Sequence, residues 1–172
     1  MITKPDFKDA PPYTHYYINL LEQSNLKLEL SYAAELTQDL FSSVKPENET
    51  RGYDNGKWSP RELLGHLIDV ERILAYRALR FSRNDATELA GFDEDSYVAH
   101  SSYLDRPLAE LIHEFTVVRV STIILFDAME EGALDFKALA NKVAYSPRSL
   151  GWMIAGHNVH HCNILKERYL GL

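Results

Sequence analysis

Apolar residues recur at helical spacing in four separate stretches of the chain. These stretches cover residues 13–43, 59–83, 107–130 and 146–170, and strand patterns are nearly absent between them. An apolar residue at every third or fourth position gives each helix one face to bury. Four such helices predict an all-α fold, and specifically a four-helix bundle.

Serine-led segments mark the starts of two of these helices. In SPREL, Ser59 is the expected N-cap and Glu62 completes a capping box. In SPRSL, Ser146 or Ser149 is the expected cap of the last helix. Asp105 is the expected cap of the third helix.

The connections between the helices bear on their arrangement. Residues 130–146 predict an irregular loop or a short turn of helix, whereas the connection between helices two and three, residues 84–106, is long and aperiodic. A connection of that length, at ~3.3 Å per extended residue, can cross the whole bundle. Helices two and three therefore need not be antiparallel, and an up-down-down-up topology is expected.

The composition is ordinary for a soluble globular protein and argues against one class of partner. The chain has 172 residues, of which 45% are hydrophobic and 25% charged. Residues 1–172 are expected to form one domain, with residues 1–12 as an extended lead-in. The net charge of −7, without any basic run, argues against nucleic-acid binding.

The single cysteine limits the kinds of disulfide and metal site that the chain can form, and the length of the apolar runs bears on where the protein is located. Cys162 stands alone, which excludes an intramolecular disulfide framework and a zinc site with several thiolates. No run approaches the ~18 apolar residues of a membrane span, and the N-terminus lacks the apolar core of a signal peptide. A cytoplasmic protein without a membrane partner is expected.

Histidines are concentrated near the C-terminus. Three of the seven, His157, His160 and His161, lie within the last predicted helix. Because His157 and His161 are four residues apart, they differ by about 40° around the helix and about 6 Å along it. They share a face with Leu150 and Ile154, so both rings are expected to point into the bundle core.

A further histidine, His66, lies on the apolar stripe of helix two, between Leu63 and Val70. If helices two and four are antiparallel, a rise of about 1.5 Å per residue places His66 beside His161. One inward histidine alone is more often a hydrogen-bonded core residue. Three buried imidazoles would each cost ~1–3 kcal/mol if unpaired, whereas one divalent cation accepts all three lone pairs. The sequence therefore predicts a metal site formed by His66, His157 and His161.

Two residues near these histidines in the sequence, His160 and Cys162, are weaker candidates for the metal site. His160 is expected to support the metal ligands from outside the site or to serve only in packing. Cys162 points about 100° away from His161, so a buried and unreactive thiol is expected.

Three imidazoles would leave a divalent ion at least one open position, which is typical of catalytic rather than structural zinc. Zinc or nickel is expected, and iron or manganese would also be accepted, because imidazole discriminates poorly among these metals. Water bound there would approach a pKa of ~7, and a bound thiol would ionise. Either form suits a reaction on a small-molecule substrate.

Four further residues are candidates for catalysis or substrate binding. Asp69 could orient an imidazole or act as a base, although a solvated surface carboxylate is the alternative. Arg77 could bind an anionic substrate, or it could only cap the end of the bundle. Phe92 and Tyr97 lie in the long connection and are candidate pocket-lining residues.

Three segments together closely resemble the DinB-like superfamily, in the order and spacing of that family. They are GKWSPRELLGHLIDVERILAYRALRF, GFDEDSYV and IAGHNVHHCNILKERYL, and the resemblance extends over residues 20–172. It implies a four-helix bundle of up-down-down-up topology with a three-histidine site for a divalent metal. The ligand in the family's GHL segment matches His66, and those in its H-x-x-x-H segment match His157 and His161.

The resemblance implies more than one kind of chemistry. Characterised relatives include S-transferases that use bacillithiol or mycothiol, and a maleylpyruvate isomerase. A metal-dependent hydrolase or thiol-dependent S-transferase is therefore expected, with a low-molecular-weight thiol as one candidate partner. The competing class is a non-catalytic bundle that binds a partner and has a structural or vestigial metal site. Exposed apolar helix faces would also suit a homodimer.

Overall fold

The computed structural model describes residues 1–172, and most of them are helical. The helices are α1 (Thr14–Asn19), α2 (Leu26–Ser42), α3 (Pro60–Ser82), α4 (Glu94–Ala99), α5 (Leu108–Asp127) and α6 (Pro147–Ile164). A π-helical segment, Leu165–Leu170, continues α6, and two short strands, β1 (Ala138–Ala140) and β2 (Val143–Tyr145), form a hairpin. Helices α2, α3, α5 and α6 pack into the predicted four-helix bundle. None of the helices is both long enough and apolar enough to cross a membrane.

Helices α2 and α6 run parallel to each other. Near the start of both helices, Leu26 lies against Gly151. Farther along, the Asn158 amide donates to Thr37 Oγ1 at 2.8 Å. Both α2 and α6 pack against α3 or α5 along their length, so the bundle has one parallel pair set against a second pair.

Helices α3 and α5 run in the opposite direction. Along α3, His66 lies beside His161 of α6, whereas Arg77 shares a cavity with Met153, which is earlier in α6. Along α5 the same progression is seen, with Arg119 beside Asn158 and Phe126 beside Gly151. The directions are therefore up, down, down and up, which confirms the expected topology and the role of the long connection between α3 and α5.

The predicted starts of α3 and α6 are confirmed. Ser59 accepts a hydrogen bond from the Glu62 amide, and the Glu62 carboxylate accepts one from the Ser59 amide at 2.8 Å. Ser146 and Ser149 form the same reciprocal pair at the start of α6. These caps place the first turns of both histidine-bearing helices at defined positions in the chain.

The prediction of one continuous first helix over residues 13–43 is wrong. The structure divides it into α1 and α2, and Asn25 caps α2 by accepting from the Lys27 amide at 3.2 Å. The Glu29 carboxylate accepts a second bond, from the Gln23 amide at 2.7 Å. Such side-chain acceptors satisfy backbone donors at a new helix start, and the apolar periodicity does not reveal them.

One other local prediction is wrong, and another is confirmed only in part. Asp105 does not cap α5, which begins after Pro107 without a side-chain cap. The segment 130–146 contains the expected short helical turn, Glu131–Ala133, but also the β1–β2 hairpin, which was not predicted. The central residues of the hairpin, Asn141 and Lys142, have φ angles of 50° and 63°. Positive φ at both positions matches the two-residue hairpin turn, but here the glycine that usually signals it is missing.

The hairpin holds the long connection against the bundle. The Leu89 amide donates to the Leu139 carbonyl at 3.0 Å, and the Asn141 amide donates to the Leu89 carbonyl at 2.9 Å. The connection and the hairpin thereby cover the side of the α3–α6 pair on which the histidines lie.

Candidate metal centre

The three histidines proposed as ligands lie together between α3 and α6. The Nε2 atom of His157 lies 3.2 Å from His66 Nε2 and 3.1 Å from His161 Nε2. One ring nitrogen from each residue lies within 4.8 Å of those of the other two. The structure thus brings together side chains from two helices, and two of these residues, His66 and His157, are 91 residues apart in the chain.

Helix geometry explains this convergence. His157 and His161 lie on successive turns of one face of α6, and their ring centroids are 4.5 Å apart. Because α3 is antiparallel to α6, its second turn carries His66 to the same height, with ring centroids 5.0 Å from His157 and 4.9 Å from His161. His66 and His157 are buried, and His161 is partly buried.

Burial keeps these imidazoles in their neutral form. It lowers the pKa of His66 to about 4 and, together with the nearby His66 and His160, lowers the pKa of His161 to about 3. Burial also holds the pKa of His157 well below its ordinary value of 6.5, and the surrounding histidines add to that effect. A neutral imidazole has a free lone pair, which is the form that binds a metal.

The arrangement of the nitrogen atoms fits a divalent ion. Ligands at the usual zinc–nitrogen distance in a tetrahedral site have nitrogens about 3.3 Å apart, close to the separations of the His157 Nε2 atom from its two neighbours. His157 Nε2 is close to two other nitrogen atoms, and a single proton shared between two rings can form a hydrogen bond in only one of these two contacts. A metal cation, in contrast, accepts a lone pair from each of the three rings. His161 Nδ1 is buried without a hydrogen-bond partner. The three residues therefore fit a metal better than they fit a hydrogen-bonded cluster.

Two aromatic residues that the sequence did not single out enclose the histidines. The Trp58 ring lies over His66, with centroids 4.7 Å apart, and the edge of Tyr17 meets His157 at 5.7 Å. Tyr17 can approach because residue 156 is glycine, where a Cβ would lie only 2.3 Å from the Tyr17 carbonyl oxygen. The sequence signals were present but unspecific: Trp58 directly precedes the capping box, and Tyr17 belongs to an apolar stripe.

His160 and Cys162 do not belong to the three-histidine cluster, although the edge of the His160 ring contacts His161 with ring centroids 4.9 Å apart. His160 Nδ1 lies 3.2 Å from the Tyr16 hydroxyl, and its ring packs between α1 and α6. The Cys162 thiol is fully buried against Thr37 Oγ1 at 3.3 Å, and burial raises its pKa to about 11. Cys162 is therefore a buried thiol that stays protonated, consistent with the predicted unreactive role.

Asp69 has a different partner from the one considered in the sequence. It is half-buried and hydrogen-bonded to the Tyr103 hydroxyl, and burial is the main cause of its raised pKa. Its Coulombic neighbours are Arg72 and Glu114. Asp69 thus joins α3 to the segment before α5, and its hydrogen bond goes to a tyrosine rather than to an imidazole.

A buried polar network centred on Arg119 lies next to the histidines, and the sequence did not predict it. Arg119 donates to both carboxylate oxygens of Glu71 at 2.8 Å, to the Leu30 carbonyl at 2.7 Å and to Asn158 Oδ1 at 2.9 Å. Asn158 in turn donates to Thr37. The network joins all four bundle helices one residue away from His157. The available signal was Arg119 itself, a charge at helical spacing from the apolar residues of α5.

A cavity of about 280 Å³ opens beside the cluster and reaches His157. Arg77 and Phe92 line it, and the guanidinium of Arg77 lies 5.8 Å from the Phe92 ring centroid. Tyr97 packs on Phe92 with ring centroids 5.3 Å apart but is half-exposed and is not part of the cavity wall. Two of the four additional candidates, Arg77 and Phe92, therefore line the same cavity as His157.

The metal-free protein is expected to lose stability as the pH falls below about 6.5. The folded-state pKa of His66 is about 4, below its unfolded value, so the unfolded chain binds a proton that the folded chain does not. The stability is fully present above pH 6.5 and is lost as the pH falls toward 4. Each such histidine contributes about 1.4 kcal/mol per pH unit in that window.

Urea unfolding of chelator-treated protein at pH 7, 6 and 5 measures this effect. A His66→Gln variant is expected to have a shallower pH dependence, by about 1.4 kcal/mol per unit, because carboxylates titrate alike in both proteins. His113→Gln, at an exposed position of α5, is the matched control and should keep the wild-type slope. Equal slopes for His66→Gln and the wild type would contradict the burial of a neutral His66.

Comparisons with known proteins agree with the fold. The family model of the DinB superfamily matches residues 29–165. A solved structure, described as "YfiT from Bacillus subtilis is a probable metal-dependent hydrolase with an unusual four-helix bundle topology", superposes with a TM-score of 0.74 at 14% sequence identity. The match covers 98% of this chain and 93% of that chain. No curated protein matches the sequence significantly.

Proposed function

The chain belongs to the DinB superfamily, and we propose that it is a divalent-metal-dependent enzyme, either a hydrolase or a thiol-dependent S-transferase. The observation that carries the proposal is the convergence of three neutral imidazoles, one of which, His157, lines a cavity. His66, His157 and His161 would hold the ion. The description of the Bacillus subtilis protein as a probable metal-dependent hydrolase supports the same reading.

Two features favour a catalytic over a structural metal. The cluster has three ligands and not four, which leaves a coordination position for another molecule. His157 lines a cavity that a small substrate can enter. A site closed by a fourth protein ligand would instead favour the non-catalytic bundle.

A divalent ion held here would supply Lewis acidity and would lower the pKa of a bound water or thiol. Zinc or nickel suits three imidazoles best, and iron or manganese would also bind. The protein's own contribution is to hold the three rings neutral and to limit water around them with Trp58 and Tyr17. A water co-substrate makes the protein a hydrolase, and a low-molecular-weight thiol makes it an S-transferase.

A substrate panel distinguishes the two reactions and tests the proposal. Protein loaded with zinc or nickel is incubated with ester and amide substrates, and separately with an electrophilic acceptor plus bacillithiol, glutathione or cysteine. We expect turnover in one arm that disappears after chelation and in His161→Ala, but survives in the exposed-site control His113→Ala. Loss of one ligand to an essential metal should lower kcat/KM by at least about 100-fold. Protein that retains its metal but is inactive in every arm would favour the non-catalytic binding protein.

A further inference from the structure

Arg77 differs from the other buried arginines of the protein. Three arginines are buried: Arg77, Arg119 and Arg148. Arg119 is paired with Glu71, and Arg148 is paired with two carboxylates of the preceding loop. The Arg77 residue is 5% exposed, and its guanidinium donates to a neutral group, the Ala90 carbonyl at 2.9 Å. Arg77 is therefore the buried arginine that forms no ion pair.

This unpaired cation faces the cavity that reaches His157. The wall opposite the connection is apolar and aromatic, with Val70, Leu74, Met153 and Tyr17 among its residues. Glu94 is the acidic residue of the cavity wall, but its side chain is exposed and makes no ion pair with Arg77. A charge withdrawn from water without a counter-ion is costly, and an anion that enters the cavity would remove that cost.

The dimensions of the cavity limit the size of such an anion. A cavity of roughly 150 Å³ with apolar walls holds one benzene molecule. The cavity here, at about 280 Å³, has room for a ring or short chain together with a charged group. Guanidinium groups bind carboxylates well because their N–H donors match the two carboxylate oxygens.

We propose that Arg77 binds the carboxylate of a small monoanionic substrate, whose apolar body extends along the cavity toward His157. The inference rests on the proposed function, since it names the substrate class of the same site. Arg77 acts as a binding and specificity residue, and the bond to be cleaved or substituted lies at the far end of the substrate, beside the histidines.

Three probes of equal shape and different charge test the proposal: benzoate, neutral benzamide and cationic benzamidine. Their dissociation constants are measured by calorimetry or NMR titration on metal-free and metal-loaded protein, with metal content determined in parallel. The variants are Arg77→Met, Arg77→Lys and the matched control Arg72→Met, which removes a half-exposed arginine of the same helix.

Metal-free wild-type protein is expected to bind benzoate about tenfold or more tightly than benzamide. Arg77→Met should abolish this preference while leaving the dissociation constant of benzamide unchanged, and Arg72→Met should retain it. If Arg77→Met does not fold, Arg77→Lys is the substitute, and it should weaken benzoate binding because it lacks the planar donor pair.

Several results would overturn the proposal. Equal affinity for benzoate and benzamide would show that Arg77 does not bind anions and serves only as the hydrogen-bond donor to the Ala90 carbonyl. Tightest binding of benzamidine would indicate that Glu94 sets the charge preference. A benzoate preference that requires metal and persists in Arg77→Met would show that the carboxylate binds the ion. Metal retention without a benzoate preference refutes this inference alone, whereas a benzoate preference in protein that never binds metal refutes only the metal-dependent function.

Discussion

Substitution of His161 or His66 by alanine is expected to remove the divalent ion from the protein. The three imidazoles lie on two helices, and a site reduced to two ligands loses both a bond and its geometric constraint. Loss of an outer hydrogen-bond partner of a metal ligand already weakens binding by 10- to roughly 100-fold. Loss of a direct ligand should weaken it further, so wild-type protein should retain about one ion per chain after desalting and both variants should retain almost none.

Elemental analysis of desalted protein measures this outcome, and circular dichroism establishes that the variants are folded. His160→Ala is the sharpest control, because His160 is adjacent to His161 in the chain but hydrogen-bonds to Tyr16. It is expected to retain the ion. If His160→Ala lost the ion while His161→Ala kept it, the assignment of ligands on α6 would be wrong. A wild-type protein that takes up no metal after supplementation would exclude the site altogether.

Breaking the Glu71–Arg119 pair is expected to cause a large loss of stability in the bundle. Both side chains are almost completely buried, and the bond is bidentate. Replacing Glu71 with leucine leaves the Arg119 guanidinium charged and buried without its counter-ion, which costs about 3–5 kcal/mol. The matched control Arg72→Ala breaks the half-exposed Arg72–Glu114 pair and should cost under about 1 kcal/mol.

A double variant separates the buried charge from the other roles of this network. Glu71→Leu combined with Arg119→Met removes both charges at similar volume, and such replacements are often close to neutral. The Leu30 carbonyl and Asn158 would still lose a donor, so we expect the double variant to recover at least half of the single-variant loss. Urea unfolding gives the free energies for a double-mutant cycle. A double variant as unstable as the sum of the single changes would contradict a dominant charge effect.

The predicted histidine pair on α6 illustrates what local spacing can specify. Residues four apart on one helix face the same way in any fold that preserves the helix, so His157 and His161 could be paired from sequence. The broken first helix illustrates the opposite case. Its interruption depends on Asn25 and Glu29 accepting backbone hydrogen bonds, and many sequences with the same apolar period lack such bonds.

By itself, the sequence determined that the chain has four long helices, though not the break before α2, together with two helix caps and the inward faces that carry the histidines. These features arise from interactions within a few residues, namely helical periodicity and reciprocal serine capping. Only the tertiary structure decided the separations of His66, His157 and His161, the burial of Arg119 in place of an apolar residue, and the placement of Arg77 and His157 on the wall of one cavity. Such features depend on how distant segments pack, because the direction of each helix and its rotation about its axis set which side chains meet.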